Sequence, residues 1–335
     1  MDAQADRLRA RMAALGVGAA PAAVAPAAAT APRAGAADAA ETPRRLARTI
    51  AVASGKGGVG KSTVALGTAM AAAARGLKVA LVDADLGLAN LDILAGIQPR
   101  FTAADWLAGR ASLSQCFTLL APRAWLLPGA SGVSRMADLE PMHRARLLEG
   151  LARVAAHVDL MVIDLGAGIG AGTLDIASAA DRLLVVATPE PTSIADAYGF
   201  MKSCARRGRE RGASCAITMA RGAEDATMAA GRLARTCERH LGLELPCVGW
   251  VPMDATVGSA VRVRVPLLAH APACAAARAI EAIEARLAGL DVASPAEREV
   301  PGFVARLARR LGVRWGGPAA AAGLGLGAAG VSAHW

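Results

Sequence analysis

Ser54-Gly55-Lys56-Gly57-Gly58-Val59-Gly60-Lys61-Ser62-Thr63 satisfies the pattern G-x-x-x-x-G-K-[ST], and its reading decides the fold. In such a loop the backbone N–H groups wrap the phosphates of a nucleotide, Lys61 reaches the terminal ones, and the Ser62 hydroxyl ligates Mg2+. The flanks agree. Residues 49–54 (Thr-Ile-Ala-Val-Ala-Ser) read as a short buried strand, and residues 62–74 as a helix whose N-terminal dipole favours anions. Strand, glycine loop and helix in that order predict ATP or GTP bound along Gly55, Gly57, Gly58, Val59, Gly60, Lys61, Ser62 and Thr63.

Lysine usage adds to this. The chain has lysine only at 56, 61, 78 and 202, so nearly all of its 37 basic residues are arginine, yet two lysines fall within six positions of this loop. An ammonium is a compact point charge that fits among phosphate oxygens, whereas a guanidinium is a broad planar fork. Lys56-Gly57-Gly58-Val59-Gly60-Lys61-Ser62 resembles the deviant Walker A motif of the MinD/ParA ATPases, in which the early lysine crosses a face-to-face dimer to the partner's phosphates. The resemblance implies an ATP-dependent homodimer with Lys56 and Lys61 as catalytic lysines.

Further along, residues 78–83 form an apolar strand that runs into Asp83-Ala84-Asp85-Leu86-Gly87-Leu88-Ala89-Asn90-Leu91-Asp92. Carboxylates at a strand's C-terminal end lie near the ligand crevice of an open parallel sheet. The string is close to the flagellar MinD-like ATPases FlhG and FleN; that resemblance implies that Asp85 positions the attacking water and that Asn90 belongs to a first switch. Residues 125–132 give another strand and a glycine turn. Residues 159–164 are a hydrophobic strand ending in Asp164, as a Walker B segment requires. Mg2+ keeps several waters and takes one or two carboxylates, so Asp164, acting through water, suffices with Ser62. Gly166 and Gly168 follow, free to adopt unusual dihedrals and bend toward the terminal phosphate as a second switch.

A strand over 183–188 leads into Pro189-Glu190-Pro191-Thr192-Ser193-Ile194, with Ser193 or Thr192 the expected helix cap. In the strand at 216–219, Thr218 stands where the family has an adenine-binding Asn, offering one hydroxyl for an amide's donor and acceptor. The strand at 248–252 ends in Pro252-Met253-Asp254; the resemblance places Pro252 and Asp254 near the base. At least seven strands interleaved with helices predict an α/β fold with a doubly wound, mostly parallel sheet, as in P-loop NTPases of MinD/ParA type.

Over all 335 residues the net charge is +9, which suits an anionic partner. Six cysteines without a C-x-x-C pair and five scattered histidines argue against a zinc site or a disulfide framework, and fit a reducing cytosol. The N-terminus, with Asp2, Asp6, Arg7, Arg9 and Arg11 first and prolines breaking the alanine run, does not read as a signal peptide. The expected organisation is a short helix at 1–12, an Ala/Pro linker at 13–47, the ATPase domain at 48–290, a basic amphipathic helix at 296–315 and a Gly/Ala tail at 316–335.

Both terminal helices invite partners. Phe303, Leu307, Leu311 and Trp315 recur at helical spacing while Arg306 and Arg310 take other faces. Such a helix lies on anionic lipid or packs on the core; the resemblance to MinD-like proteins, with the helix after the ATPase domain, implies the cytoplasmic face of the membrane. Gln4-Ala5-Asp6-Arg7-Leu8-Arg9 is similar to the N-terminal motif of FlhG and FleN that stimulates the GTPase FlhF, although the family has Asp directly before Gln where this chain has Asp2-Ala3-Gln4. Gln4, Leu8 and Arg9 would carry that contact. The resemblance implies control of flagellar number and placement, an FlhF-like GTPase and flagellar switch-complex or regulator proteins as partners, and peripheral, polar membrane association. The competing expectations are a septum-site or polysaccharide-secretion ATPase and a nucleoid-binding ParA, in which arginines contact DNA; DNA is not the expected partner here.

Overall fold

The computed structural model describes residues 47–85, 89–129, 141–209, 212–290 and 302–314. The expected N-terminal helix with Gln4, Leu8 and Arg9, nearly all of the linker, Trp315 and the tail lie outside the described residues. In chain order the elements are β1 (Arg48–Ala53), α1 (Lys61–Ala74), β2 (Val79–Ala84), α2 (Leu91–Ala95), α3 (Ala103–Leu107), α4 (Leu113–Cys116), β3 (Thr118–Ala121), β4 (Ala124–Leu127), α5 (Pro141–Ala155), β5 (Leu160–Leu165), α6 (Ala171–Ala179), β6 (Arg182–Ala187), α7 (Pro191–Arg206), β7 (Ala213–Ala220), α8 (Ala223–Leu241), β8 (Cys247–Pro252), α9 (Ala255–Val263), α10 (Leu267–His270), α11 (Ala275–Gly289) and α12 (Phe303–Arg310).

One eight-stranded sheet runs β3-β4-β2-β5-β1-β6-β7-β8. Every pairing is parallel except β3 with β4. The inner strands are continuous apolar runs because helices cover both faces. Alternation along each strand splits the core in two. Ala51, Val82, Met161, Ile163, Leu183 and Val185 point to the side packed by α5, α6, α7 and α8. Ile50, Val52, Leu81, Val162 and Leu184 point to α1 and α11. With β1 seated between β5 and β6, the segments leaving β1, β2, β5 and β6 converge on one edge, where open α/β sheets place their ligands.

The expected strands all form. β3 was not anticipated: it is a four-residue, partly exposed edge strand, too short for an alternation to register.

The C-terminal helix requires a correction. α12 forms with the expected stripe, but Phe303, Val304, Leu307 and Ala308 are buried and Leu311 packs against the same core. The neighbours of α12 are α5 and α6. Arg306 donates through Nε to the Ala179 carbonyl at 2.7 Å and pairs with Asp181. The Arg310 Nη1 donates to the Arg207 carbonyl at 2.7 Å. The apolar face is covered by protein, and both arginines serve as ties rather than as headgroup contacts. An apolar stripe about 100° wide matches a protein groove as well as a lipid surface, and the groove takes it.

Candidate nucleotide site

β1 delivers the glycine loop to the base of α1. Gly58 and Gly60 have φ of 79° and 80°, in the left-handed region, and Gly60 occupies the N-cap of α1 without a side-chain cap. The first-turn N–H groups therefore keep no protein side chain as partner at the cap, the condition for holding an anion. A side chain at Gly57 or Gly58 would meet nothing within 4 Å, so the outer wall of the loop is open. Gly55 is different: a Cβ there would lie 2.2 Å from the carbonyl carbon of Asp196 on α7. The Ser54 hydroxyl donates to the Lys56 carbonyl at 2.9 Å and closes the turn. Val59 is buried, and Ser62 and Thr63 are half-buried in the first helical turn.

Behind the loop lie the acids. Lys61 Nζ donates to Asp164 Oδ1 at 2.6 Å, both side chains being buried. Asp83 and Asp164 are register partners on β2 and β5. Asp83 accepts the N–H of Asp85 at 3.0 Å, of Asn90 at 3.1 Å and of Leu91 at 3.2 Å, which fixes the start of α2. Burial, and then the charge of Asp164, push the Asp83 carboxyl up to about 7 despite those donors. Burial also raises Asp164, against the pull of Lys61. The Asp85 carboxylate stands 3.2 Å from where a Cβ on Gly166 would be, so a small residue there gives it room. Asp83 is a buried anchor of this edge to which the sequence alone assigned no role. The chain returns to it only at Asn90 and Leu91, and that return has no local signature.

These residues fit Mg2+. Asp164 Oδ2 is buried and has no hydrogen-bond partner, while Oδ1 of the same carboxylate holds Lys61 behind the loop. Ser62 and Asp164, the latter through water, are the groups that would hold the ion.

At the rim, Lys56 Nζ is 2.6 Å from Glu190 Oε2 and 3.4 Å from the Thr192 hydroxyl, at the start of α7. The Gly168 N–H donates to the Ser54 carbonyl at 3.1 Å with φ 87°, tying the second expected switch to the phosphate loop. Asn90 is exposed on the same edge. Neither Thr192 nor Ser193 caps α7: Ser193 Oγ accepts from the Thr188 N–H at 2.9 Å, and Glu190 occupies the N-cap with no side-chain cap bond.

The base-side expectations change. The Thr218 hydroxyl is buried and lies 2.6 Å from the Val59 carbonyl and 3.2 Å from that of Ala187. Its single proton goes to the protein, so Thr218 braces the phosphate loop. Asp254 caps α9 by accepting from the Thr256 N–H at 2.8 Å, and it also accepts from the Ala276 N–H at 3.3 Å. Pro252 is half-buried. The exposed groups here are Met219, in the left-handed region at φ 56°, and Met253. Neither was singled out from sequence.

Residues 50–267 match the family described as the CobQ/CobB/MinD/ParA nucleotide binding domain. The chain belongs to that family. It is a MinD/ParA-type ATPase. The chain is 34% identical over 258 residues to the antiactivator FleN of Pseudomonas aeruginosa, an alignment covering 77% of this chain and 92% of FleN. It is 37% identical over 153 residues to the flagellum site-determining protein YlxH of Helicobacter pylori, covering 46% and 52% of the two chains. Among solved structures, the septum site-determining MinD of Pyrococcus horikoshii complexed with Mg-ADP shares the fold, with a TM-score of 0.60 at 22% identity over 74% of this chain and 98% of that one. No helix among the described residues is long and apolar enough to cross a membrane.

Proposed function

We propose that this ATPase binds ATP with Mg2+, dimerises face to face, and regulates flagellar number and placement while cycling between cytosol and membrane surface. The observation that carries the dimer is Lys56. It is the second lysine of the loop, its side chain is one-third exposed at the rim, and Glu190, itself largely exposed, is its partner. An exposed pair of this kind contributes little, on the order of 1 kcal/mol or less, so Lys56 can leave Glu190 for the more concentrated negative charge of a partner's phosphates.

In this reading Lys61 and the N–H groups around Gly57, Gly58 and Gly60 hold the β- and γ-phosphates, and Lys61 exchanges Asp164 for phosphate oxygen. Ser62 and Asp164 are then free to take Mg2+, which when bound neutralises charge building on the phosphate oxygens. Asp85 orients the attacking water. Asn90 on one side, with Gly166 and Gly168 on the other, sense the γ-phosphate and carry its loss to the dimer face. Catalysis is thus positioning and charge neutralisation.

The flagellar cargo rests on the likeness to FleN and to YlxH, the second of which is named a flagellum site-determining protein. An FlhF-like GTPase, reached through Gln4, Leu8 and Arg9, and flagellar switch-complex or regulator proteins are the partners that follow. Membrane contact requires α12 to leave its seat against α5 and α6, after which two such helices in a dimer bind with higher avidity than one.

Two experiments test this. Lys56→Ala should retain nucleotide binding yet lose ATP-dependent dimers, in light scattering, together with turnover; unchanged turnover would end the cross-dimer role. A strain without the protein should show altered flagellar number or position by electron microscopy. A normal count with displaced septa would leave the ATPase and reassign its cargo.

A further inference from the structure

At the far edge of the sheet, away from the nucleotide, β7 and β8 bring two cysteines together. Cys215 and Cys247 are register partners on these parallel strands. Neighbouring strands lie about 4.8 Å apart, inside the Cα separation of roughly 4.4–6.8 Å that a disulfide spans, and register partners project to the same face. The Cys247 Sγ donates to the Gly249 carbonyl at 3.3 Å. The surroundings of the two thiols differ sharply. Cys247 begins the edge strand and is exposed, whereas Cys215 is fully buried beneath α8.

Their chemistry differs in the same sense. The proximity of Cys215 lowers the Cys247 thiol below its ordinary value, and the nearby Arg286 guanidinium adds to that against partial burial. Arg286 is fixed in place by donating to the Val248 carbonyl at 3.0 Å. The same proximity, with burial, holds Cys215 well above its ordinary range. Exposed Cys247 is the sulfur an oxidant reaches and buried Cys215 the one held in reserve, the asymmetry of an attacking and a resolving cysteine. A third thiol, Cys237 of α8, is buried in the same core. Among the described residues no three His, Cys, Asp or Glu side chains are grouped to hold a metal ion.

We propose that Cys247 and Cys215 form a reversible oxidation site at which a hydroperoxide converts the two thiols into a disulfide joining β7 to β8. The Cys247 thiolate attacks the terminal peroxide oxygen, the O–O bond breaks, and the departing alkoxide or hydroxide takes a proton to leave as alcohol or water; Cys247 becomes a sulfenic acid. The Cys215 sulfur then attacks the Cys247 sulfur, its proton leaves with the hydroxyl as water, and the S–S bond forms. Two cysteines lose two electrons and the peroxide gains them. A dithiol reductant reverses the step by thiol–disulfide exchange. The bond would sit three residues before Thr218, on the strand that braces the phosphate loop, and would tie it to the strand that ends at Pro252. This site is independent of which cargo the ATPase serves.

The test uses the full chain treated with hydrogen peroxide, alkylated, digested without reductant and mapped by mass spectrometry. A Cys215–Cys247 linked peptide pair, lighter by two hydrogens and reversed by a dithiol, is the expected product. Cys215→Ser should leave Cys247 as a sulfenic acid that dimedone traps, and Cys247→Ser should leave Cys215 reduced. Half-exposed Cys274 serves as the internal control. Should Cys247 stay reduced while Cys274 oxidises, or should Cys247 link to Cys237 or to a second chain instead, the proposal is overturned. The wild-type map alone decides this if either variant fails to fold.

Discussion

Lys61 Nζ lies 2.6 Å from Asp164 Oδ1 with both side chains buried, so the lysine proposed to grip phosphate and the acid proposed to serve Mg2+ hold each other. Removing one member of a buried pair leaves the other charge uncompensated, at a cost of about 3–5 kcal/mol. Asp164→Asn should therefore lower the melting temperature and move the Mg2+ dependence of turnover to roughly ten- to a hundredfold higher concentration. Calorimetry and a Mg2+ titration of ATP hydrolysis check this. A variant with normal Mg2+ dependence would remove Asp164 from the metal site.

Asp83 makes stability depend on pH. Its folded value of about 7 exceeds the ordinary 3.8, so the folded state binds the proton more tightly than the unfolded one. The stabilisation is complete below about pH 4 and is lost as pH rises to about 7, beyond which it is constant. At about 1.4 kcal/mol per unit the loss is roughly 4 kcal/mol. Urea melts in the absence of nucleotide should show midpoints falling over that window. Asp83→Asn should flatten the fall and also release the Asn90 and Leu91 N–H groups, seen as faster amide exchange at the start of α2.

The loop glycines separate by what surrounds them. Gly55→Ala places a methyl 2.2 Å from the Asp196 carbonyl carbon, whereas Gly57→Ala meets nothing within 4 Å. The first variant must push β1 and α7 apart, an overpacking cost of about 1–3 kcal/mol or more. The second should melt like wild type. Equal melting temperatures for the two variants would contradict the close approach of the loop to α7.

How far the chain could be read in advance follows from which signals are local. A buried parallel strand is a continuous apolar run, so β1, β2, β5 and β6 declare themselves, and the residues just after them declare the site. β3 pairs antiparallel at an edge over four residues, leaving no period to see. The partner of Lys56 sits 134 residues away, and nothing near Lys56 encodes Glu190. The stripe on α12 announces that Phe303 and Leu307 face something apolar; only packing tells that it is protein.

That packing can be probed directly. Leu307 is fully buried, and Leu307→Ala should cost about 2–5 kcal/mol, lowering the melting temperature of the whole domain. A frayed or lipid-facing helix would give a change near zero. In nucleotide-free buffer the wild type should not sediment with anionic vesicles through this helix, because Phe303 and Leu307, which would insert, are covered.

Thr218 offers the sharpest test of the base side. Its hydroxyl donates to the Val59 carbonyl at 2.6 Å, and Thr218→Val keeps the shape while leaving that buried acceptor short of a donor. The expected cost is about 1–3 kcal/mol, expressed locally as a looser phosphate loop. Affinity for ATP and for GTP should fall by the same factor, because the lost contact is to the loop and not to a base. Equilibrium binding of both nucleotides to wild type and variant measures this. A change in the ATP-to-GTP ratio would mean that Thr218 faces the base after all, and the role of bracing the loop would then have to be abandoned.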